Sequence, residues 1–248
     1  MSMRKAGSRK PQMSIVLGFT LFVFFLSPGV CEGQGKDTAG WQKDLPRKKI
    51  VIIGASFVNG MSLKEAAGFA IENKGIGGNL SSEMLARFDR DVIACRPTGV
   101  ILWPFINDIM RSKRENIGVA LTDTRKNIVE MVKRAKRNNI IPILVSELTI
   151  CEDEGLYAKI RDFIRSLLRK ESYSSYVNKH VLNTNEWIRG YAAKNNLLVL
   201  DFQPLLSDRK GNRRKEYATP DGAHISPLGY DVLNRYTREV LGAYFQKR

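Results

Sequence analysis

Cysteine and histidine are scarce in this chain of 248 residues, which has three cysteines and two histidines. Cys31, Cys95 and Cys151 are too few to build the disulfide framework of a small secreted domain. No group of cysteines and histidines has the spacing of a metal site, and no glycine-rich nucleotide loop is present in the sequence. We therefore expect neither a metal ion nor another cofactor.

The N-terminal apolar run is too short to be a typical membrane span. Residues 13–26 are uncharged and mostly apolar, and these 14 residues compare with about 20 in a spanning helix. Basic residues precede the run, and the helix-breaking residues 27–31 follow it. This layout predicts a signal peptide over residues 1–33, cleaved after Cys31 or Gly33. An uncleaved N-terminal anchor and lipid attachment at Cys31 are the alternatives, although Val30 fits a lipoprotein signal poorly.

Acidic residues are outnumbered, and the formal net charge is +15 with a pI near 9.9. Loss of residues 1–33 leaves 36 basic and 24 acidic side chains, a net charge of +12. This charge favours an anionic surface as a partner. The basic residues are scattered over helices, as in residues 133–137, which is more typical of solvated helix faces than of a binding patch. We expect no specific nucleic-acid binding, and the oligomeric state stays open.

Short β-branched runs alternate with amphipathic segments along the rest of the chain. Five strands are predicted, over residues 49–53, 69–73, 100–103, 140–145 and 197–200. Helices are predicted over residues 81–95, 122–139, 183–195 and 228–245. The alternation indicates an α/β fold, a three-layer α/β/α sandwich with a five-stranded parallel sheet. This domain would occupy residues 48–248, after a linker at 34–47 and with a charged helical insertion near 151–179.

Polar residues and glycines follow the ends of several predicted strands. Ser56 follows the first strand, a glycine-rich turn at 73–79 follows the second, and Asn107 follows the third. Asp221 and His224 precede the last helix. Active groups of an open α/β sheet gather beyond the carboxyl ends of its strands, so these residues are expected to meet. A histidine with a carboxylate beside it is the usual general base at neutral pH.

Four short motifs occur in order, and together the chain resembles the SGNH, or GDSL-type, hydrolases. The motifs are Ile-Gly-Ala-Ser-Phe at 53–57, Asn-Lys-Gly-Ile-Gly-Gly at 73–78, Asn-Asp at 107–108 and Asp-Gly-Ala-His at 221–224. The resemblance covers about residues 48–248. Ala55 replaces the aspartate usual in the first motif, and Phe105 replaces a common glycine. Phe105 is expected to narrow the site or to change its loop.

The resemblance implies a serine esterase or acylhydrolase. Ser56 would be the nucleophile, His224 the general base, and Asp221 the residue that orients His224. The oxyanion hole would consist of the backbone N–H groups of Ser56 and Gly78 and the side-chain amide of Asn107. The substrates implied are small esters, acylated glycans or lysophospholipids.

Other interpretations of the same residues remain open. Ser56 alone is typical of a helix cap, Asp108 is expected to be structural, and His180 lies in a lysine-containing stretch without a motif. The α/β-hydrolase type expects G-x-S-x-G, but Gly60 lies too far from Ser56. The alternative from another class is an exported, non-catalytic binding protein that holds an anionic polymer on a hydrolase scaffold.

The sequence contains one N-glycosylation motif, Asn79-Leu80-Ser81, directly after Gly78. A glycan there would obstruct the proposed oxyanion hole. The motif therefore favours a bacterial exported protein, periplasmic or secreted, over a eukaryotic one.

Overall fold

The computed structural model describes residues 48–151 and 171–247. The predicted signal peptide (1–33), the linker (34–47) and residues 152–170 of the predicted insertion lie outside the described residues.

The sheet has six strands within the described ranges, in the order β2-β3-β1-β4-β5-β6. Their bounds are β1 Lys49–Gly54, β2 Glu65–Ala66, β3 Phe69–Gly75, β4 Gly99–Trp103, β5 Ile141–Val145 and β6 Leu198–Leu200. All five predicted strands are present and are parallel to one another. The sixth, β2, is an antiparallel edge strand that pairs with β3. Two residues are too few for a period-2 pattern, so the predicted number of five was one short.

The helices flank this sheet, as predicted, and their bounds correct several expectations. They are α1 Ser56–Asn59, α2 Ser81–Ala86, α3 Phe88–Asp91, α4 Ile106–Met110, α5 Ile117–Arg137, α6 Tyr173–Asn195 and α7 Pro227–Gln246. The single helix predicted over 81–95 is wrong. It is interrupted at Arg87, which lies between α2 and α3, and a 3₁₀ turn over Ile93–Cys95 follows.

Helix α6 begins earlier than predicted and includes residues 173–179 of the predicted insertion. Ser172 caps it, because its Oγ accepts a hydrogen bond from the Ser175 backbone N–H at 3.0 Å. The serines and the β-branched residue near its start have low intrinsic helix propensity, which hid this first part from the sequence pattern. Its buried face supplies the energy that propensity lacks.

The core lies on both faces of the central strands. The last five residues of β1 and all five residues of β4 are buried, which requires helices on both sides of the sheet. The predicted α/β sandwich is therefore confirmed, with a sheet of six strands instead of five. Over the residues described, no helix is both long and apolar enough to cross a membrane.

Candidate active site

Three of the predicted site segments start side by side because of the strand register. Gly54, the last residue of β1, is paired with Gly75 at the end of β3 and with Trp103 at the end of β4. The chain leaves all three strands at the same edge of the sheet. Ser56, the turn at 76–79 and Asn107 therefore lie in segments that follow adjacent strand ends.

Ser56 is the first residue of the short helix α1 and is half-buried. Helix α1 packs closely on the end of β3: a Cβ at Gly75 would lie 2.2 Å from the Asn59 nitrogen. Gly75 thus allows the approach that holds Ser56 at the sheet edge. In the part of the chain described, the Ser56 hydroxyl makes no hydrogen bond, and therefore none to the His224 ring.

Gly78 and Asn107 come together beyond the ends of β3 and β4. Gly78 has a φ of +79°, in the left-handed region that favours glycine. The Asn107 side-chain amide donates a hydrogen bond to the Asn79 carbonyl oxygen at 3.0 Å. Asn107 is half-buried and lies at the glycine turn, not in the core.

Asp108 fixes the short helix that carries Asn107. Its carboxylate accepts hydrogen bonds from the Ser81 backbone N–H at 2.9 Å, the Ser81 hydroxyl at 2.6 Å and the Thr124 hydroxyl at 3.0 Å. Burial raises the pKa of Asp108, against the opposing effect of these donors. The contacts join α4 to α2 and α5 and fit the structural role expected for Asp108.

Asp221 and His224 form a tight pair ahead of α7. Asp221 Oδ2 lies 2.6 Å from His224 Nδ1. Its Oδ1 accepts from the backbone N–H groups of Ala223 and His224, at 2.8 and 2.9 Å, and from the Thr219 hydroxyl at 2.7 Å. The His224 backbone N–H, followed by its side chain, holds the pKa of Asp221 well below the usual range. The carboxylate therefore stays charged throughout the range in which a histidine titrates.

The His224 ring lies beside the residue that follows Ser56. The rings of His224 and Phe57 are edge-to-face, with centroids 6.3 Å apart. The Tyr230 hydroxyl on α7 donates to the Phe57 carbonyl oxygen at 3.0 Å, which binds α7 to α1. Ser56 and the Asp221–His224 pair thus lie on neighbouring, mutually attached elements.

Phe105 does not narrow the site, because its side chain is buried in the core with 1% exposure. The loop after β4 is held instead by Glu147, which sequence reasoning missed. Glu147 is 1% exposed and accepts from Trp103 Nε1 at 2.8 Å and from the Ile106 backbone N–H at 3.1 Å. Burial raises the pKa of Glu147 to about 7. The one signal in the sequence for this role is a single carboxylate, Glu147, that follows a predicted buried strand.

Arg213 is a second missed residue, and it joins three segments of the site. Its Nε donates to the Thr149 carbonyl at 2.7 Å, and its Nη1 donates to the carbonyls of Ala223 and His224 at 2.9 and 2.8 Å. The guanidinium carbon lies 5.2 Å from the centroid of the Phe57 ring. Burial lowers the pKa of Arg213, and the charge of Glu147 opposes that effect. Nothing local in the sequence marks this arginine, since its contacts are distant along the chain.

The segment after β5 is buried but is not part of the sheet ladder. Two asparagines of α6 replace the missing strand partner. Asn185 exchanges two hydrogen bonds with the Glu147 backbone, at 2.7 and 2.8 Å, and Asn178 does the same with Ile150, at 2.8 and 2.9 Å. These amides satisfy backbone groups that would otherwise be buried without partners. Glu147 is thereby held in place under the site.

The described residues contain no group of three or more His, Cys, Asp or Glu side chains arranged to hold a metal ion. The chemistry that the arrangement can perform is that of a hydroxyl, an imidazole–carboxylate pair and an amide donor.

Relatives with known sequences and structures resemble this chain over most of its length. The uncharacterized lipoprotein YqeF of Bacillus subtilis is 26% identical over 235 residues, which cover 86% of this chain and 93% of YqeF. The structure of a putative lipolytic protein of the G-D-S-L family from Desulfitobacterium hafniense matches with a TM-score of 0.58 and 27% identity. That match covers 78% of this chain and 99% of the other.

A more distant structure shares the fold. An acetylxylan esterase of Geobacillus stearothermophilus, Axe2, matches with a TM-score of 0.55 and 20% identity, over 79% of this chain and 94% of Axe2. The model of the GDSL-like Lipase/Acylhydrolase family matches residues 38–232. That match covers more than half of the chain and includes all four motifs. The chain therefore belongs to the GDSL-like lipase/acylhydrolase family, whose members hydrolyse esters.

Proposed function

We propose that the protein is an exported serine esterase in which Ser56 is the nucleophile and Asp221–His224 is the base pair. The observation that carries the proposal is the 2.6 Å contact between Asp221 Oδ2 and His224 Nδ1, with the imidazole packed against Phe57 next to Ser56. A carboxylate on Nδ1 leaves Nε2 as the basic nitrogen that can face a hydroxyl. The Ser56 hydroxyl would form its hydrogen bond to Nε2 when substrate binds, since catalytic hydrogen bonds are often absent in a structure without substrate.

The first half of the reaction would form an acyl-enzyme. Ser56 Oγ attacks the ester carbonyl carbon while His224 Nε2 takes the hydroxyl proton. The negative charge on the former carbonyl oxygen is stabilised by the Ser56 and Gly78 N–H groups and the Asn107 amide. The C–O bond to the alcohol then breaks, and His224 returns the proton to the leaving oxygen.

The second half would release the acid. A water molecule attacks the acyl carbon while His224 accepts one of its protons, and the same donors stabilise the second oxyanion. The bond to Ser56 Oγ then breaks, and His224 returns the proton to Ser56. Asp221 stabilises the imidazolium in both halves and remains ionised.

The substrate class is taken from the relatives as a proposal. Axe2 is named an acetylxylan esterase, which supports acetylated glycans as one class beside small esters and lysophospholipids. YqeF is named a lipoprotein, which supports export of this chain, with lipid attachment at Cys31 as the anchored alternative. Cell fractionation of wild type and Cys31→Ala would separate a released protein from a lipid-anchored one. A cytoplasmic location would contradict export.

The experiment that tests the activity compares Ser56→Ala with the surface variant Ser175→Ala. Hydrolysis of short 4-nitrophenyl esters should fall at least about 10³-fold in Ser56→Ala and stay unchanged in Ser175→Ala. Labelling by a fluorophosphonate should follow the same pattern, with circular dichroism as the control for folding. A folded Ser56→Ala that keeps a tenth of the activity would exclude the mechanism. A wild type that neither hydrolyses esters nor accepts the label would favour the non-catalytic binding protein.

A further inference from the structure

Arg111 lies against the turn that would form the oxyanion hole. The position that a Cβ of residue 78 would take is 2.5 Å from Arg111 Nη2 and 3.5 Å from its Cζ. The guanidinium therefore lies over the Gly78 Cα. The positive charge of Arg111 thus lies against the residue whose backbone N–H is a proposed oxyanion donor.

The helix geometry gives Arg111 and Asn107 a common face. Arg111 follows α4 directly, and its backbone N–H donates to the Asn107 carbonyl at 2.9 Å. Residues four apart on a helical turn are neighbours on its surface. The Asn107 amide contacts Asn79 while the Arg111 guanidinium contacts Gly78, so both side chains reach the same turn.

No acidic side chain in the described part of the chain neutralises the charge of Arg111. Arg111 is exposed, and none of the described residues forms an ion pair or side-chain hydrogen bond with it. The nearest acid along its own helix, Asp108, is turned inward to Ser81 and Thr124. Arg114, one turn further, is engaged by Glu171 at 3.6 Å and by the Tyr176 ring. Among residues 48–151 and 171–247, the Arg111 guanidinium thus has no charged partner, and it lies at the Gly78 turn.

From this arrangement we infer that Arg111 forms an anion subsite, and that the preferred substrate is an ester with an anionic group close to the scissile bond. The inference rests on the proposed esterase function. A guanidinium offers paired N–H donors that match a carboxylate or phosphate, and such charge-assisted hydrogen bonds are stronger than neutral ones. Because the anion is not the reacting group, its contact would act equally on bound substrate and transition state and would lower KM.

Two matched substrate pairs test which side of the ester carries the charge. For the acyl side, 4-nitrophenyl hydrogen adipate is compared with 4-nitrophenyl hexanoate. For the alcohol side, 3-acetoxybenzoate is compared with 3-acetoxybenzamide. The wild type should prefer the anionic member of at least one pair in kcat/KM. Arg111→Gln should lower kcat/KM for that substrate by about 10-fold or more, mainly through KM, and change the neutral partner less than about 3-fold.

Two further variants separate the subsite from the general positive charge. Arg111→Lys keeps the charge but loses the paired geometry, so it should restore part of the preference. Lys113→Gln removes an equal charge two residues away, and it should leave the preference intact. A wild type that prefers the neutral member of both pairs would overturn the inference. An equal loss for charged and neutral substrates in Arg111→Gln would do the same.

A binding measurement keeps the inference distinct from the proposed mechanism. Calorimetry with Ser56→Ala measures the affinity for intact 3-acetoxybenzoate and for adipate without turnover. Adding Arg111→Gln should weaken the binding of at least one of them by about 10-fold or more. The proposed mechanism fails if no ester is hydrolysed, whereas the subsite fails if both anions bind equally well, or not at all, with and without Arg111.

Discussion

Arg213 Nη1 lies 2.8 Å from the carbonyl oxygen of His224 and donates a hydrogen bond to it. The same side chain binds the carbonyl of Thr149 and stacks near Phe57, so one guanidinium joins the His224 loop to the segments on either side. Arg213 is 3% exposed, and among the described residues its Nη2 has no hydrogen-bond partner. Its hydrogen bonds to buried carbonyl oxygens offset part of the cost of burying the charge.

Removal of Arg213 should therefore destabilise the protein and impair the site. Arg213→Met leaves three carbonyl oxygens and the Glu147 charge without their partner, and we expect the free energy of unfolding to fall by about 3–5 kcal/mol. Chemical denaturation measures this loss. Arg214→Met is the matched control, because Arg214 is partly exposed and should change stability by less than about 1 kcal/mol. Equal effects of the two variants would contradict the joining role of Arg213.

Glu147 should make stability depend on pH between about 5 and 8. Its pKa is raised from 4.5 to about 7, so the folded state binds more protons than the unfolded state in this window. The stabilisation is present below the unfolded pKa and is lost as the pH rises through 7, by up to roughly 3 kcal/mol. Glu147→Gln removes this titration. The difference between the unfolding curves of wild type and variant isolates it from other groups, and a difference that does not vary with pH would exclude it.

Asn107 should act mainly in the transition state. Loss of its amide in Asn107→Ala is expected to lower kcat by about 10²–10³ while KM changes little, because the donor matters when charge develops on the carbonyl oxygen. Steady-state kinetics with one chromogenic ester measures both constants. Asn127→Ala is a useful control, since Asn127 donates to the Ser81 hydroxyl behind α4, away from the proposed hole. A rise in KM alone for Asn107→Ala would assign Asn107 to binding.

Asp221 should set the acid limb of the pH–rate profile. Since its pKa lies far below the range in which histidine titrates, one ionisation is expected in that limb. Asp221→Asn removes the negative charge that lies beside the imidazole of His224, so kcat should fall and the acid limb should move to lower pH. The profile of kcat/KM from pH 5 to 9 measures the shift. A limb that stays in place would reject the electrostatic role of Asp221 and leave His224 as the base.

The sequence by itself determined the fold class and the motifs. The β-branched runs placed all five parallel strands, because buried strands of such a sheet are locally almost continuous apolar segments. The motifs singled out Ser56, Gly78, Asn107, Asp221 and His224 as candidates for the site, since each motif is a short stretch of sequence. The local pattern could not detect β2, which has two residues, or the first part of α6, whose stability comes from packing.

Only the tertiary structure showed which distant side chains hold the segments of the candidate site and which charged groups lie next to it. The contacts of Glu147, Arg213 and the two α6 asparagines join residues that are far apart in the sequence. A periodic pattern of apolar residues cannot predict such contacts. The same applies to Arg111, whose guanidinium meets Gly78 only once the chain is folded. The burial of Phe105, against the expectation that it narrows the site, has the same origin, since the direction of its side chain follows from the packing around β4. Local sequence specifies backbone conformation and apolar faces, whereas the pairing of distant polar groups exists only once the chain is folded.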